Sequence, residues 1–117
     1  MSNDTFVTLC PISRLSTNRG VAALVDTVAV ALFLLEDGSL HAVDNFDPCC
    51  GASVLSRGII GEADGEWTVA SPMHKQRFSL ITGRCLDAAE MVTVHEARTM
   101  NGQVQVRLAR RPPSTTP

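Results

Sequence analysis

The chain has 117 residues, of which 44% are hydrophobic and 19% are charged, and its formal net charge is −2. This composition is typical of a globular protein rather than a disordered one. The Lys and Arg residues are scattered, which excludes the clustered positive surface that nucleic-acid binding requires.

The length predicts one domain, residues 1–110, followed by a flexible C-terminal tail at 111–117. The longest apolar run, residues 28–35, is too short to span a bilayer, so we predict no membrane association. The first ten residues lack the features of a signal peptide. We therefore predict a cytoplasmic protein whose four cysteines are free thiols.

In the first half of the chain, the residue pattern predicts strands at 5–10, 20–25, 27–35 and 40–43. Pro11 ends the first strand, and 12–18 is a polar connection with at most one helical turn. Asp26 forms a turn, and Asp37-Gly38 forms a hairpin turn. Because 27–35 is almost continuously apolar, we expect this strand to be covered on both faces.

In the second half, strands are predicted at 58–61, 67–70, 77–80, 92–95 and 103–108. Asp64-Gly65 and Asn101-Gly102 mark turns, and the latter predicts a strong final hairpin. No segment has the periodicity of an amphipathic helix. The sequence therefore predicts an all-β fold, an antiparallel sandwich or small barrel of nine or ten short strands.

Two loops that contain Pro and Gly, at 45–58 and 71–83, have the outline of the two halves of a Rieske iron–sulfur site. Such a site needs Cys-x-His from one loop and Cys-x-x-His from the other. The alignment places Asp47 and Ser71 at the cysteine positions, and Cys49 and His74 at the histidine positions. Only His74 keeps the ligand type, and hard oxygen groups are poor substitutes for thiolate. The sequence therefore predicts a cluster scaffold that has lost its metal.

From about Leu9 to Leu108, the chain resembles the Rieske-like small subunit of the assimilatory NAD(P)H-dependent nitrite reductase. The most specific segments are 44–48, 51–61 and 71–78. The resemblance implies an antiparallel sandwich with a small two-loop lobe that lacks the four [2Fe-2S] ligands. It also implies an accessory, non-catalytic subunit with no cofactor of its own. Its partner would be a large subunit that carries FAD, siroheme and an iron–sulfur cluster and reduces nitrite to ammonia.

Three basic residues follow the motif loops and could form a positive rim that docks an acidic surface of the partner: Arg57, Lys75 and Arg77. An ordinary solvated face is the alternative for all three. Arg57 could instead bridge the loops by donating hydrogen bonds to their carbonyl groups.

The remaining distinctive residues have structural interpretations. Trp67 and Phe78 are predicted to lie in the core, and His41 and His95 are predicted to be structural. Three glycines are predicted at turns that need a positive φ: Gly51, Gly58 and Gly83.

Three alternative functions stay open. A Rieske-type ferredoxin-like electron carrier would need a cluster. A small metal or redox sensor could use Cys49, Cys50 and His74, with Asp47 as a further zinc ligand, because cysteines stand where the family more often has an aromatic and a small polar residue. A scaffold recruited to an unrelated complex is the third. No motif predicts catalysis by this chain alone.

Overall fold

Antiparallel strands account for most of the regular structure in residues 5–109, the residues that this computed structural model describes. The main sheet, in the order β1-β11-β10-β4-β3-β2, contains β1 (Val7–Pro11), β2 (Gly20–Val25), β3 (Val28–Leu34), β4 (Leu40–Asp44), β10 (Val94–Met100) and β11 (Gln103–Arg107). The smaller lobe contains the pair β5 (Phe46–Asp47) and β6 (Ala52–Ser53), and a sheet of β7 (Ile59–Ala63), β8 (Glu66–Ala70) and β9 (Arg77–Ser79). The predicted all-β antiparallel fold is confirmed.

Strand β3 is covered on both faces, as its apolar run predicts. Because successive side chains of a strand point to opposite faces, alternate residues of this segment enter two different cores. One core lies against the lobe and contains Ala31, Phe33, Leu35, Val43, Leu55, Val69, Phe78, Leu80, Cys85 and Val92. The other contains Leu15, Val25, Val30, Leu32, Ala42, Val104 and Val106.

Several element bounds differ from the prediction. Pro11 lies within β1 rather than after it, at an edge of the main sheet where its missing N–H leaves no ladder bond unmade. The segment 12–18 contains one 3₁₀ turn, Ile12–Arg14, as expected. The final hairpin is confirmed, but β10 starts at Val94, because the Val92 N–H donates to the Gly83 carbonyl instead of a strand partner. The extra strands beyond the predicted number include β5 and β6, which pair inside the first motif loop.

The glycine predictions divide into two groups. Gly51 and Gly83 have φ values of 78° and 81° and confirm the prediction. Gly58 was wrongly predicted, since its φ is −76°. A Cβ at Gly58 would lie 2.4 Å from the Ala70 carbonyl oxygen, so close backbone packing excludes a side chain there.

The structure contains no helix, within residues 5–109, that is long and apolar enough to cross a bilayer. The predicted tail at 111–117 lies outside the described residues.

Candidate functional site

Asn45 shapes the first motif loop. Its side chain is buried, its Oδ1 accepts a hydrogen bond from the Ser56 N–H at 2.7 Å, and its Nδ2 donates to the Ser53 carbonyl at 3.3 Å. The Asn45 carbonyl also accepts from the Leu55 N–H. These bonds close the loop on itself and lead it into a 3₁₀ turn at Leu55–Arg57. Side-chain bonds of this kind satisfy backbone groups that have no ladder partner.

The second motif loop is a tight turn between β8 and β9. The Ser71 N–H donates to the Gln76 carbonyl, and the Lys75 N–H donates to the Ser71 carbonyl, both at 2.9 Å. Lys75 has a φ of 61°, which lets the chain reverse direction. Met73 and His74 are exposed at the tip of this loop.

Asp47 and Ser71 join the two loops. The Ser71 Oγ donates to the Asp47 Oδ2 at 2.5 Å, and the Cys49 N–H donates to the Asp47 Oδ1 at 2.8 Å. Asp47 is 0% exposed and Ser71 is 1% exposed. Burial acts to raise the pKa of Asp47, but hydrogen bonds from Ser71, Cys49 and Cys50 outweigh it and lower that pKa. An ionised carboxylate and a hydroxyl therefore satisfy each other where a cluster would need two thiolates.

Within residues 5–109, Cys49 and His74 form no metal-binding group with this pair. The Cys49 Sγ lies 3.8 Å from the Glu90 Oε1. Burial, followed by the charges of Asp47, Cys85 and Glu90, raises the pKa of Cys49 to about 11. His74 is exposed, and its ring makes no hydrogen bond within the described part of the chain.

The residues present do not fit a Rieske [2Fe-2S] cluster, which needs two thiolates on one iron and two imidazoles on the other. The two predicted cysteine positions hold a carboxylate and a hydroxyl that bond to each other. Between residues 5 and 109, no group of three or more His, Cys, Asp or Glu side chains is arranged to hold a metal ion. Cys49, Cys50 and His74, considered as zinc ligands, do not form such a group.

The three predicted docking residues differ in whether an acidic side chain of the same chain balances their charge. Arg57 and Lys75 are exposed. Arg77 forms a forked ion pair with Asp87, with Nη2–Oδ1 at 2.9 Å and Nε–Oδ2 at 3.1 Å. The hydrogen bonds from Arg77 lower the pKa of Asp87 to about 2. Much of the Arg77 charge is therefore balanced within the chain.

Sequence reasoning missed three of these participants: Asn45, Asp87 and Glu90. An Asn directly after a strand, followed by a Pro-containing turn, is a signal that could have identified Asn45. Nothing in the local pattern of Asp87 or Glu90 indicates that they meet Arg77 and Cys49. Arg57 does not bridge the loops, because within residues 5–109 its guanidinium donates to no carbonyl group.

The comparisons with known proteins give one consistent result. Residues 5–107 match the Rieske-like [2Fe-2S] domain family. The chain is 42% identical over 101 residues to the nitrite reductase (NADH) small subunit of Escherichia coli K12, which covers 85% of this chain and 94% of that protein. It superposes on the solved structure of an NADH-dependent nitrite reductase small subunit from Mycobacterium tuberculosis with a TM-score of 0.85 and 46% identity, covering 91% and 97% of the two chains.

A third relative has a different domain arrangement. The nitrite reductase [NAD(P)H] large subunit of Klebsiella oxytoca is 37% identical to this chain over 99 residues, which is 84% of this chain but 10% of that protein. A segment similar to this chain is thus built into that large subunit.

Proposed function

This chain belongs to the Rieske-like [2Fe-2S] domain family, among the small subunits of NAD(P)H-dependent nitrite reductase, and we propose that it is the accessory subunit of an enzyme that reduces nitrite to ammonia. The observation that carries this conclusion is the 42% identity across 94% of the Escherichia coli small subunit. The related segment within the Klebsiella oxytoca large subunit supports a large subunit as the partner.

We further propose that this chain holds no [2Fe-2S] cluster and transfers no electrons itself. The hydrogen bond between Asp47 and Ser71 supports this proposal, because a carboxylate and a hydroxyl that bond to each other occupy the two positions where a cluster needs thiolates. The siroheme, FAD and iron–sulfur cluster of the enzyme would all reside in the large subunit. The role of this chain is then to bind that subunit and stabilise it.

Arg57, Lys75 and Arg77 are the proposed docking residues. The exposure of Arg57 and Lys75 supports a role in attracting an acidic surface. Arg77 contributes less, because Asp87 already balances its charge. A cytoplasmic location and a role in nitrate assimilation complete the proposal. The four free thiols are consistent with a reducing compartment.

Co-expression with the large subunit tests this function. We expect the two chains to purify together, and we expect the complex to oxidise NADH or NADPH in a nitrite-dependent reaction that yields ammonia. The isolated chain should be colourless and should lack iron. Two results would contradict the proposal: failure of the chains to associate, or a [2Fe-2S] absorption spectrum in the isolated chain, which would favour the ferredoxin alternative.

A further inference from the structure

An open cleft of about 520 Å3 lies where the start of β2 meets the 3₁₀ turn at Leu55–Arg57 and the start of β7. Two arginines from distant parts of the sequence line it, together with small, polar and apolar residues that include Asn18, Gly20, Ser56 and Ile59. These arginines are Arg19 and Arg57. The first was not predicted to have any function.

Close backbone packing positions the two arginines around one cleft. Asn18 has a φ of 64°, and the Arg19 N–H donates to the Ser16 carbonyl at 3.1 Å. A tight turn therefore fixes the position of the Arg19 backbone directly before β2. At the next residue, a Cβ added to Gly20 would lie 2.2 Å from the Ser56 carbonyl oxygen. Only glycine permits this approach, and it brings the residue before β2 alongside the 3₁₀ turn that carries Arg57.

The positive charges of Arg19 and Arg57 are not balanced within the described residues. Both side chains are exposed, and neither forms an ion pair or a side-chain hydrogen bond in residues 5–109. Arg77, by contrast, is paired with Asp87. Glu36 accepts a hydrogen bond from the side chain of Asn18, a cleft residue, at 3.4 Å, but it pairs with neither arginine. The cleft therefore presents two guanidinium groups to a ligand from outside.

The cleft also opens onto a free sheet edge. Within the described chain, β7 is hydrogen-bonded to β8 alone. Ile59 and Ile60 of β7 line the cleft, whereas no residue of β8 does, so the cleft lies on the unpaired side of β7. Ile59 is 69% exposed. An unpaired edge offers N–H and C=O groups to an added strand, and an exposed Ile offers apolar contact.

We propose that this cleft binds an acidic, extended segment of the large subunit, which pairs with the edge of β7 and places Asp or Glu side chains on Arg19 and Arg57. This inference rests on the proposed function and assigns a surface and a binding mode to it. A second copy of this chain is the less suitable occupant, because edge-to-edge pairing would bring four arginines together. The chain's own residues 110–117 contain no Asp or Glu.

The test compares two double variants that change the net charge equally. Arg19→Glu with Arg57→Glu reverses the charge of the cleft, and Arg14→Glu with Arg84→Glu reverses two exposed arginines outside it. Binding to the purified full-length large subunit is measured by calorimetry at low and moderate salt. We expect the cleft variant to raise Kd by about 30-fold or more. The control should change Kd by less than about 3-fold.

Hydrogen exchange of the wild-type complex provides a readout that does not depend on variants. We expect the amide groups of β7 to gain protection when the large subunit binds. Thermal unfolding shows whether each variant keeps its fold.

The outcomes separate the inference from the function on which it rests. If the wild-type chain does not bind the large subunit, both are overturned. If it binds, but the two double variants weaken binding equally and β7 gains no protection, only the inference fails. Concentration-dependent dimerisation of the isolated chain that the cleft variant abolishes would assign the edge to a second copy and would also overturn the inference.

Discussion

At the scale of single residues, Asp47 and Ser71 join the two motif loops through a hydrogen bond between buried side chains. The Asp47 carboxylate, at one predicted cysteine position, accepts hydrogen bonds from the Ser71 hydroxyl at the other and from the backbone of its own loop. Buried polar groups are stable only when they are satisfied in this way. The pair therefore joins the two loops by hydrogen bonding alone, and this contact is what supports the proposal that the chain holds no cluster.

The lowered pKa of Asp47 predicts an acid-sensitive contribution to stability. Because the folded pKa lies below the unfolded value of 3.8, this contribution is fully present above about pH 4 and is lost as the pH falls through the folded pKa. In Asp47→Asn this contribution is absent. We expect the variant to lose about 1–3 kcal/mol at pH 7, and its free energy of unfolding to fall less steeply below pH 4 than that of the wild type.

Urea unfolding between pH 3 and pH 7 measures this effect. Asp26→Asn is the control, since Asp26 is an exposed turn residue and the charge change is the same. A wild-type slope in Asp47→Asn would show that the Asp47 carboxylate makes no net contribution.

Cys49 should be a slow nucleophile although it stands at a predicted ligand position. With a pKa of about 11, only about one molecule in a thousand carries the thiolate at pH 8. We expect iodoacetamide to modify Cys10, which is partly exposed, well before Cys49. Peptide mapping by mass spectrometry after timed alkylation measures the order. Labelling of Cys49 as fast as Cys10 would revive the redox-sensor alternative.

At the scale of elements, the 3₁₀ turn at Leu55–Arg57 joins the lobe to the main sheet. Leu55 is fully buried in the lobe-side core, and two glycines, one at the start of β2 and one directly after the turn, allow the backbone to pack tightly here. Gly20 meets the Ser56 carbonyl, and Gly58 meets β8. The position of the whole lobe therefore depends on contacts that leave no room for a Cβ.

Gly20→Ala should destabilise the fold, whereas Gly61→Ala should not. A Cβ at Gly20 would lie 2.2 Å from a backbone oxygen and 2.7 Å from the Phe33 ring, but the nearest atom at Gly61 is 3.5 Å away. We expect Gly20→Ala to cost about 2–3 kcal/mol and Gly61→Ala to change stability by less than about 0.5 kcal/mol. Denaturant unfolding measures both. Equal stability of the two variants would mean that the contact at Gly20 relaxes without cost.

At the scale of the whole molecule, the main sheet has a short seam between β4 and β10. The two strands share only the pairs Val94–Val43 and His95–Ala42. Across this seam the buried His95 donates from Nε2 to the Asp44 Oδ1 at 2.8 Å, while its Nδ1 accepts from the Ala109 N–H at 2.9 Å. This histidine therefore links two parts of the sheet to the chain beyond β11.

His95→Leu should be far more destabilising than His41→Leu. The first change removes a buried donor to the Asp44 carboxylate, which is itself 8% exposed, and the acceptor of the Ala109 N–H, and we expect a loss of about 2–3 kcal/mol. His41 is half-buried and contacts the Ser39 hydroxyl at 2.9 Å, so its loss should cost about 1 kcal/mol or less. Thermal and urea unfolding measure both variants. Similar losses would show that the seam does not depend on His95.

Local patterns in the sequence were enough to predict most of the strands and the hairpin at Asn101-Gly102, but not the short pair β5 and β6 inside the first motif loop. Alternation, turn residues and motif spacing are properties of neighbouring residues, and backbone geometry converts them directly into structure. Gly58 was wrongly predicted to have a positive φ. Glycine is needed both where φ is positive and where backbones pack closely, and the sequence around Gly58 does not show which of the two applies.

Only the tertiary structure decided which side chains meet. Asp47 bonds to Ser71 across 24 positions, Arg77 pairs with Asp87, Cys49 lies beside Glu90, and Arg19 joins Arg57 in one cleft. Each of these contacts depends on how separate elements pack, and no local periodicity carries that information. The charge at Arg57 could therefore be predicted from the sequence, but its partner in the cleft could not.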